Sequence, residues 1–200
     1  MPTLICDLDG VLFGDPSQRR VDAWREANGG VLGVTTAADL DDDEQRAFRA
    51  GRLTAPEYAA HLRRRLGWTG SDDELARLWS AGSAVVLEVV EVIGILRERG
   101  WSLVAADDTD PWTAQGRASQ LSWVRSLFER VVTAGDAGAR RPDPRYFAEL
   151  LRGLPSGPRL YVDDDPRNVS AARRAGLDAH LFNGAAGLAD ASRSVLLTSG

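Results

Sequence analysis

The sequence predicts an α/β protein: a five-stranded parallel sheet with a small helical cap inserted after the first strand. Three observations carry that prediction. The chain opens on an apolar run, Leu4-Ile5-Cys6, that stops at Asp7-Leu8-Asp9-Gly10, the way a buried strand stops where its carboxyl edge reaches a crevice. Between residues 16 and 82 the apolar spacing is helical and shows no convincing strand. From Val85 onward short apolar segments alternate with amphipathic ones, the pattern of parallel strands joined by crossover helices.

Taken in order, residues 3 to 9 read as the first strand. The cap follows. Val21, Trp24 and Arg25 lie on a helix that Gly29-Gly30 stops, and Leu40 and Phe48 continue the helical theme. Thr54 is an N-cap, with Pro56 in the first turn and Tyr58, Leu62 and Leu66 at helical spacing up to Gly67. Ser71-Asp72-Asp73-Glu74 has capping-box spacing ahead of Leu75, Leu78 and Trp79. Val86 to Arg99 then reads as a helix, residues 102–106 as a strand, Pro111 to Arg130 as mostly helix and residues 131–133 as a strand. Tyr146 to Arg152 is a helix, residues 160–162 a strand, Pro166 to Ala175 a helix and residues 179–182 the last strand. Crossovers on both faces make this a Rossmann-like three-layer core, over residues 1–14 and 84–200, with the cap at 15–83. From Ala189 onward the pattern is weak and reads as a frayed tail.

Composition excludes several settings. A length of 200 residues with 44% hydrophobic content suits one domain with a modest insertion. The net charge of −5 argues against nucleic acid as a partner, since phosphate backbones select basic surfaces. One cysteine, Cys6, rules out a disulfide framework and points to a reducing, cytoplasmic setting. No apolar run approaches the roughly 20 residues that cross a bilayer, and no signal-peptide pattern is seen. A small-molecule substrate and a monomer or homodimer are the expected partners and assembly. All 24 basic residues are Arg.

The acids fall at strand ends. Asp7 and Asp9 follow the first strand, Asp107 and Asp108 the second, Asp136 and Arg140-Arg141 the third, and Asp163-Asp164-Asp165 the fourth. Carboxylates that close need a counter-ion, because like charges about 4 Å apart cost on the order of 4 kcal/mol even at an effective dielectric of 20. A hard divalent cation such as Mg²⁺ is the natural one.

With these residues in view, the chain resembles the haloacid dehalogenase (HAD) superfamily of phosphatases and related hydrolases over nearly its whole length. The matching stretches are Asp7-Leu8-Asp9-Gly10-Val11, Arg141-Pro142-Asp143-Pro144 with Tyr146-Phe147, and Val162-Asp163-Asp164-Asp165-Pro166-Arg167-Asn168 with Ala175-Gly176-Leu177. The short cap, with Gly51-Arg52-Leu53-Thr54 before a helix, is most similar to the small sugar-phosphate phosphatases related to glucose-1-phosphatase. The resemblance implies that Asp7 is a nucleophile forming an aspartyl-phosphate, and that Asp9 is the general acid and then base. It further implies that Asp7, the backbone carbonyl of Asp9, Asp163 and Asp164 hold Mg²⁺.

Two positions depart from the family. Where its second motif offers Ser or Thr to a phosphoryl oxygen stands Asp107, and an ionised carboxylate has no proton to donate. Where its third motif offers Lys stands Arg141, whose charge is spread over a wider planar fork. Either Asp107 and Arg141 form a bidentate ion pair across the phosphate position, or Thr109 takes the Ser/Thr role, or Arg141 is drift in an Arg-only chain and Asp107 is turned away or protonated. Both are counted with Asp7 and Asp9 as catalytic candidates. Asp108, Arg19, Arg20 and Trp24 are substrate-binding candidates; Trp68 and Trp79 are further cap residues that can line an apolar pocket. His61 and His180 are too far apart in the sequence to suggest a zinc site.

Three function classes follow: a Mg²⁺-dependent phosphatase of a small metabolite with impaired phosphate binding, an enzyme using paired Asp residues for acid/base chemistry on a specialised metabolite, and a non-catalytic binding protein on the same scaffold. A bound Mg²⁺ with an open coordination position favours the first, an enclosed apolar pocket without metal the second, and a filled basin with a large exposed apolar patch the third.

Overall fold

The computed structural model describes residues 1–14, 17–40, 42–49, 51–80, 84–116 and 118–198. In chain order the first elements are β1 (Thr3–Asp7), α1 (Ser17–Ala27), α2 (Asp43–Arg49), α3 (Ala55–Leu66) and α4 (Asp72–Ser80), with a 3₁₀ turn at Ala37–Leu40 before α2. They are followed by α5 (Leu87–Glu98), β2 (Ser102–Asp107), α6 (Pro111–Gly116), α7 (Ala118–Leu127) and β3 (Arg130–Thr133). The chain continues through α8 (Ala134–Ala137), α9 (Pro144–Leu151), β4 (Arg159–Asp163), α10 (Pro166–Arg174), β5 (Asp178–Leu181) and α11 (Ala185–Thr198).

The residues fall into two compact units, one formed by Met1–Gly14, Val85–Asp108 and Ser122–Gly200, the other by Asp15–Ala84 and Thr109–Leu121. The expected boundary residues 15 and 83 themselves lie outside the described residues.

The first unit is built on a five-stranded, all-parallel sheet in the order β3-β2-β1-β4-β5. The central strands β1, β2 and β4 are buried along nearly their whole length because both faces are covered, whereas the edge strand β5 is largely exposed. Ile5, Val104, Ala106, Val132 and Tyr161 join Tyr146, Phe147 and Leu150 of α9 and Ala171 and Ala172 of α10 in one buried cluster. The alternate residues Leu4, Cys6, Leu103, Ala105, Leu160 and Val162 point the other way and are equally buried. The chain runs outward from β1 through β2 to β3, then returns to β4 on the far side of β1. That reversal places the crevice of an open α/β sheet at the carboxyl end of β1.

β1 stops at Asp7, not Asp9. Leu8 and Asp9 leave the sheet because the chain folds back on itself, with Gly10 N–H donating to the Phe13 carbonyl (2.7 Å) and Phe13 N–H to that of Leu8 (2.8 Å). The tail expected from Ala189 is the body of α11: Leu188, Ser192 and Val195, at helical spacing, are buried. The weak pattern arises because Ser192 occupies one of the inward positions.

The second unit has its own apolar core of Trp24, Phe48, Tyr58, Leu62, Leu75, Trp79 and Trp112 with their neighbours. Helix α3 is framed as its sequence predicts: Thr54 donates through N–H and hydroxyl to Glu57 (2.8 and 2.7 Å), and Gly67 closes it in the left-handed region, at φ 66°. Phe48 stacks on Tyr58 with centroids 4.4 Å apart, and Trp79 meets Tyr58 edge-on at 5.4 Å. The segment Thr109–Leu121, expected in the core domain, belongs to this unit instead. The reason is Asp110: it accepts from the Trp79 indole (3.2 Å) and from Thr113 N–H and hydroxyl (3.0 and 2.7 Å), while Trp112 packs against Trp79 and Phe48.

If α11 is part of the core, Leu188→Ala lowers the unfolding free energy by about 2–5 kcal/mol, whereas the exposed Leu197→Ala changes it by about 0.5 kcal/mol or less. Urea unfolding of the two variants measures the difference.

Candidate active site

Four strand ends build the site, and the register says how. Asp7 stands opposite Ala106 of β2, and Cys6 opposite Val162 of β4. Asp163 is therefore level with Asp7, and Asp107, level with Thr133 of β3, lies one residue further out. Asp7, Asp107, Asp108 and Asp163 are all buried.

The centre of the cluster is Arg141. Its Nη1 lies 2.8 Å from Asp7 Oδ1 and donates to Asp163 Oδ2 at 2.8 Å, and its Nη2 donates to Asp108 Oδ1 at 2.5 Å. Only 2% of the side chain is exposed. Asp108 also lies 3.7 Å from Arg140 Nε through its other oxygen. Of the alternatives left open for Arg141, a bidentate pair with Asp107 is not what the structure places here: Asp108 meets Nη2 through one oxygen. Consecutive residues of an extended chain point to opposite sides, so only one of the two acids faces the guanidinium.

Asp7 Oδ1 also accepts the N–H of Leu8 at 2.7 Å. Burial raises the Asp7 carboxyl well above the usual carboxylate range; Arg141 pulls it back, and Asp163, Asp108 and Asp9 push it further up. Asp163 is held from several sides. The Tyr161 hydroxyl donates to Oδ2 at 2.5 Å, Asn168 Nδ2 reaches both oxygens at 3.1 Å, and Asp165 N–H donates to Oδ1 at 2.8 Å. Asp164, by contrast, is exposed, and its carboxyl is raised to about 6, first by desolvation and then by Asp163.

Gly10 is required by this arrangement. It adopts φ +81°, and a Cβ there would lie 2.0 Å from Asp164 Oδ2. The turn after β1 and the acid after β4 share the same space.

Asp7, Asp163 and Asp164 each offer a carboxylate oxygen within 4.8 Å of the others. Three hard oxygen donors of this kind fit a cation such as Mg²⁺ and suit soft metals poorly. Asp9 is half-buried beyond the strand end, and its field reaches Asp7.

The structure separates the expected substrate-binding residues. Asp108 is in the cluster. Trp24 lies in the interior of the cap, its ring 5.8 Å from that of Trp79 and its indole N–H donating to the Leu75 carbonyl, so it lines no pocket wall. Arg20 is buried as well: Nε donates to the Trp79 carbonyl (2.5 Å), Nη2 to Thr113 Oγ1 (3.1 Å), and the guanidinium sits 4.4 Å above the Trp79 ring. Both residues are spent on holding the cap together. Arg19 is exposed on α1. Trp68 and Trp79 are buried in the same core, and His61 pairs with Asp42 at 2.8 Å.

Tyr161 joins the cluster although its sequence marks it only as a strand residue; the signal was its place two residues before Asp163 on β4, hence on the same face. Arg140, one of the charged residues that follow β3 in the sequence, reaches Asp108.

The haloacid dehalogenase-like hydrolase profile matches residues 1–176. A phosphoglycolate phosphatase from Rhodobacter capsulatus is 26% identical over 190 residues, 88% of this chain and 81% of that protein. A drimenol cyclase from Aspergillus calidoustus is 32% identical over 92 residues, 45% of this chain but 16% of that much longer protein. Among solved structures, a HAD family enzyme from Bacteroides thetaiotaomicron superposes with a TM-score of 0.74 at 17% identity, covering 92% of this chain and 94% of that one. The same enzyme has been solved in complex with magnesium and inorganic phosphate (TM-score 0.72, 16% identity).

Gly10→Ala is expected to cost about 1–3 kcal/mol from the left-handed backbone and the clash together. Adding Asp164→Ala should return part of that loss, because it removes the clash and leaves the backbone strain. Denaturant unfolding of the two single variants and the double variant measures the coupling.

Proposed function

The chain belongs to the haloacid dehalogenase-like hydrolase family, and from that premise we propose that it is a Mg²⁺-dependent phosphatase of a small phosphorylated metabolite in the cytoplasm. The observation that carries the reading is the polarisation of Asp7. Among the described residues both of its close contacts, from Leu8 N–H and from Arg141, fall on Oδ1. Oδ2 is then the oxygen that attacks.

The proposed chemistry proceeds in two steps. Asp7 Oδ2 bonds to phosphorus as the bond to the leaving alcohol oxygen breaks, and Asp9 gives that oxygen a proton. Asp9 then takes a proton from water, whose oxygen attacks the phosphorus of the aspartyl-phosphate and frees Asp7 and inorganic phosphate. Asp7, Asp163, Asp164 and the Asp9 carbonyl are the residues that would hold Mg²⁺, which when bound supplies positive charge against the phosphoryl oxygens and the crowded carboxylates. Tyr161, Asn168 and the Asp165 N–H keep Asp163 in place. Arg141, at the position where the third motif has Lys, orients Asp7 through Nη1.

A second reading draws support from the acid pair Asp107-Asp108 and from the partial likeness to a cyclase: acid/base chemistry on an apolar substrate, with no phosphoryl transfer. The two readings part on a single measurement.

For the phosphatase, purified protein with Mg²⁺ hydrolyses p-nitrophenyl phosphate and members of a sugar-phosphate panel, chelation stops it, and Asp7→Asn lowers turnover by a factor of about 10³ or more. Hydrolysis that survives Asp7→Asn at the wild-type rate would sink the proposal. Its complete absence in wild type across the panel would favour the second reading.

A further inference from the structure

Among the described residues, one nitrogen of Arg141 has no hydrogen-bond partner. Nη1 is shared by Asp7, Asp163 and the Tyr161 hydroxyl (3.3 Å), and Nη2 is taken by Asp108, but Nε is buried with no hydrogen-bond partner. Nε and Nη2 together form an edge on which an arginine makes two parallel hydrogen bonds to a carboxylate or phosphate. Here Asp108 Oδ1 engages Nη2 alone, and Asp108 Oδ2 turns toward Arg140. The fork is half-filled: one nitrogen is held by a protein carboxylate and the other has no acceptor among the described residues. A buried donor left unpaired is costly, and an oxygen bridging the two nitrogens would satisfy it.

We propose that Asp108 is a specificity-determining residue, standing on Arg141 Nη2 where an oxygen of a bound oxyanion would otherwise sit and disfavouring dianionic phosphoryl groups. This rests on reading Asp7 and Arg141 as the phosphoryl-binding end of the site. Two features make Asp108 the discriminating group. It occupies the nitrogen itself, and it brings a negative charge that a phosphoryl dianion must approach. Asp163 serves Nη1 and leaves the Nε–Nη2 edge untouched.

The test uses the full chain with saturating Mg²⁺ and inorganic phosphate as the probe, titrated by calorimetry. Asp108→Ala should bind phosphate about tenfold tighter than wild type, or about 1.4 kcal/mol. Asp108→Asn keeps an acceptor for Nη2 without the charge and should gain less than Asp108→Ala. The double variant Asp108→Ala, Arg141→Ala should lose the gain. Equal or weaker phosphate binding by a folded Asp108→Ala overturns the proposal. If that variant does not fold, the same comparison with Asp108→Asn decides, any gain supporting the proposal and none overturning it. Because binding is read without turnover, the outcome is separate from that of Asp7→Asn: tighter phosphate binding without hydrolysis upholds the role of Asp108 and removes only the phosphatase.

Discussion

A single buried guanidinium holds the carboxyl edge of the sheet together. Arg141 gathers Asp7 from β1, Asp108 from beyond β2 and Asp163 from β4, three acids whose mutual repulsion in a water-poor setting would otherwise push the strand ends apart. Breaking such a buried pair by removing one partner costs about 3–5 kcal/mol, because the other charges stay behind uncompensated. The same group that makes the cluster possible therefore also restricts what can enter it.

The remaining acids divide by what surrounds them. Asp163 is saturated by donors from its own strand, from the following loop and from α10, so it acts as a fixed post. Asp164 lies against Gly10 at the open rim of the cluster, with fewer fixed donors than Asp163 among the described residues. This contrast suits a site in which some oxygens must hold still while others meet a cation or a reacting group.

The cap works by different physics. Its core is aromatic, with Phe48, Tyr58, Trp79 and Trp112 in mutual contact, Trp24 against Trp79 and Arg20 stacked on Trp79. Asp110 and Thr113 bring a segment from far along the chain into that core. Residues with the chemistry of a binding site, an arginine and tryptophans, are consumed here as structure, because a small helical unit of this size needs large side chains to bury enough apolar area.

Local pattern alone determined much of this protein. The apolar strands, the acids that end them and the helix caps at Thr54 and Gly67 follow from spacing and residue type, since strand and helix periods act over a few residues. Gly10 was legible as a sharp turn, though not as the space that Asp164 needs. What only the tertiary structure decided is partnership. Asp107 and Asp108 are neighbours in the sequence, and nothing local says which one faces Arg141; the register of β1 against β2 and β4 and the pleat of the chain settle it. Arg20 and Trp24 likewise carry no local mark of their burial, because the groups that claim them, Leu75, Trp79 and Thr113, are separated from them by 51 to 93 residues. Charge and hydrogen bonding depend on distance in space, and spacing along the chain does not supply it.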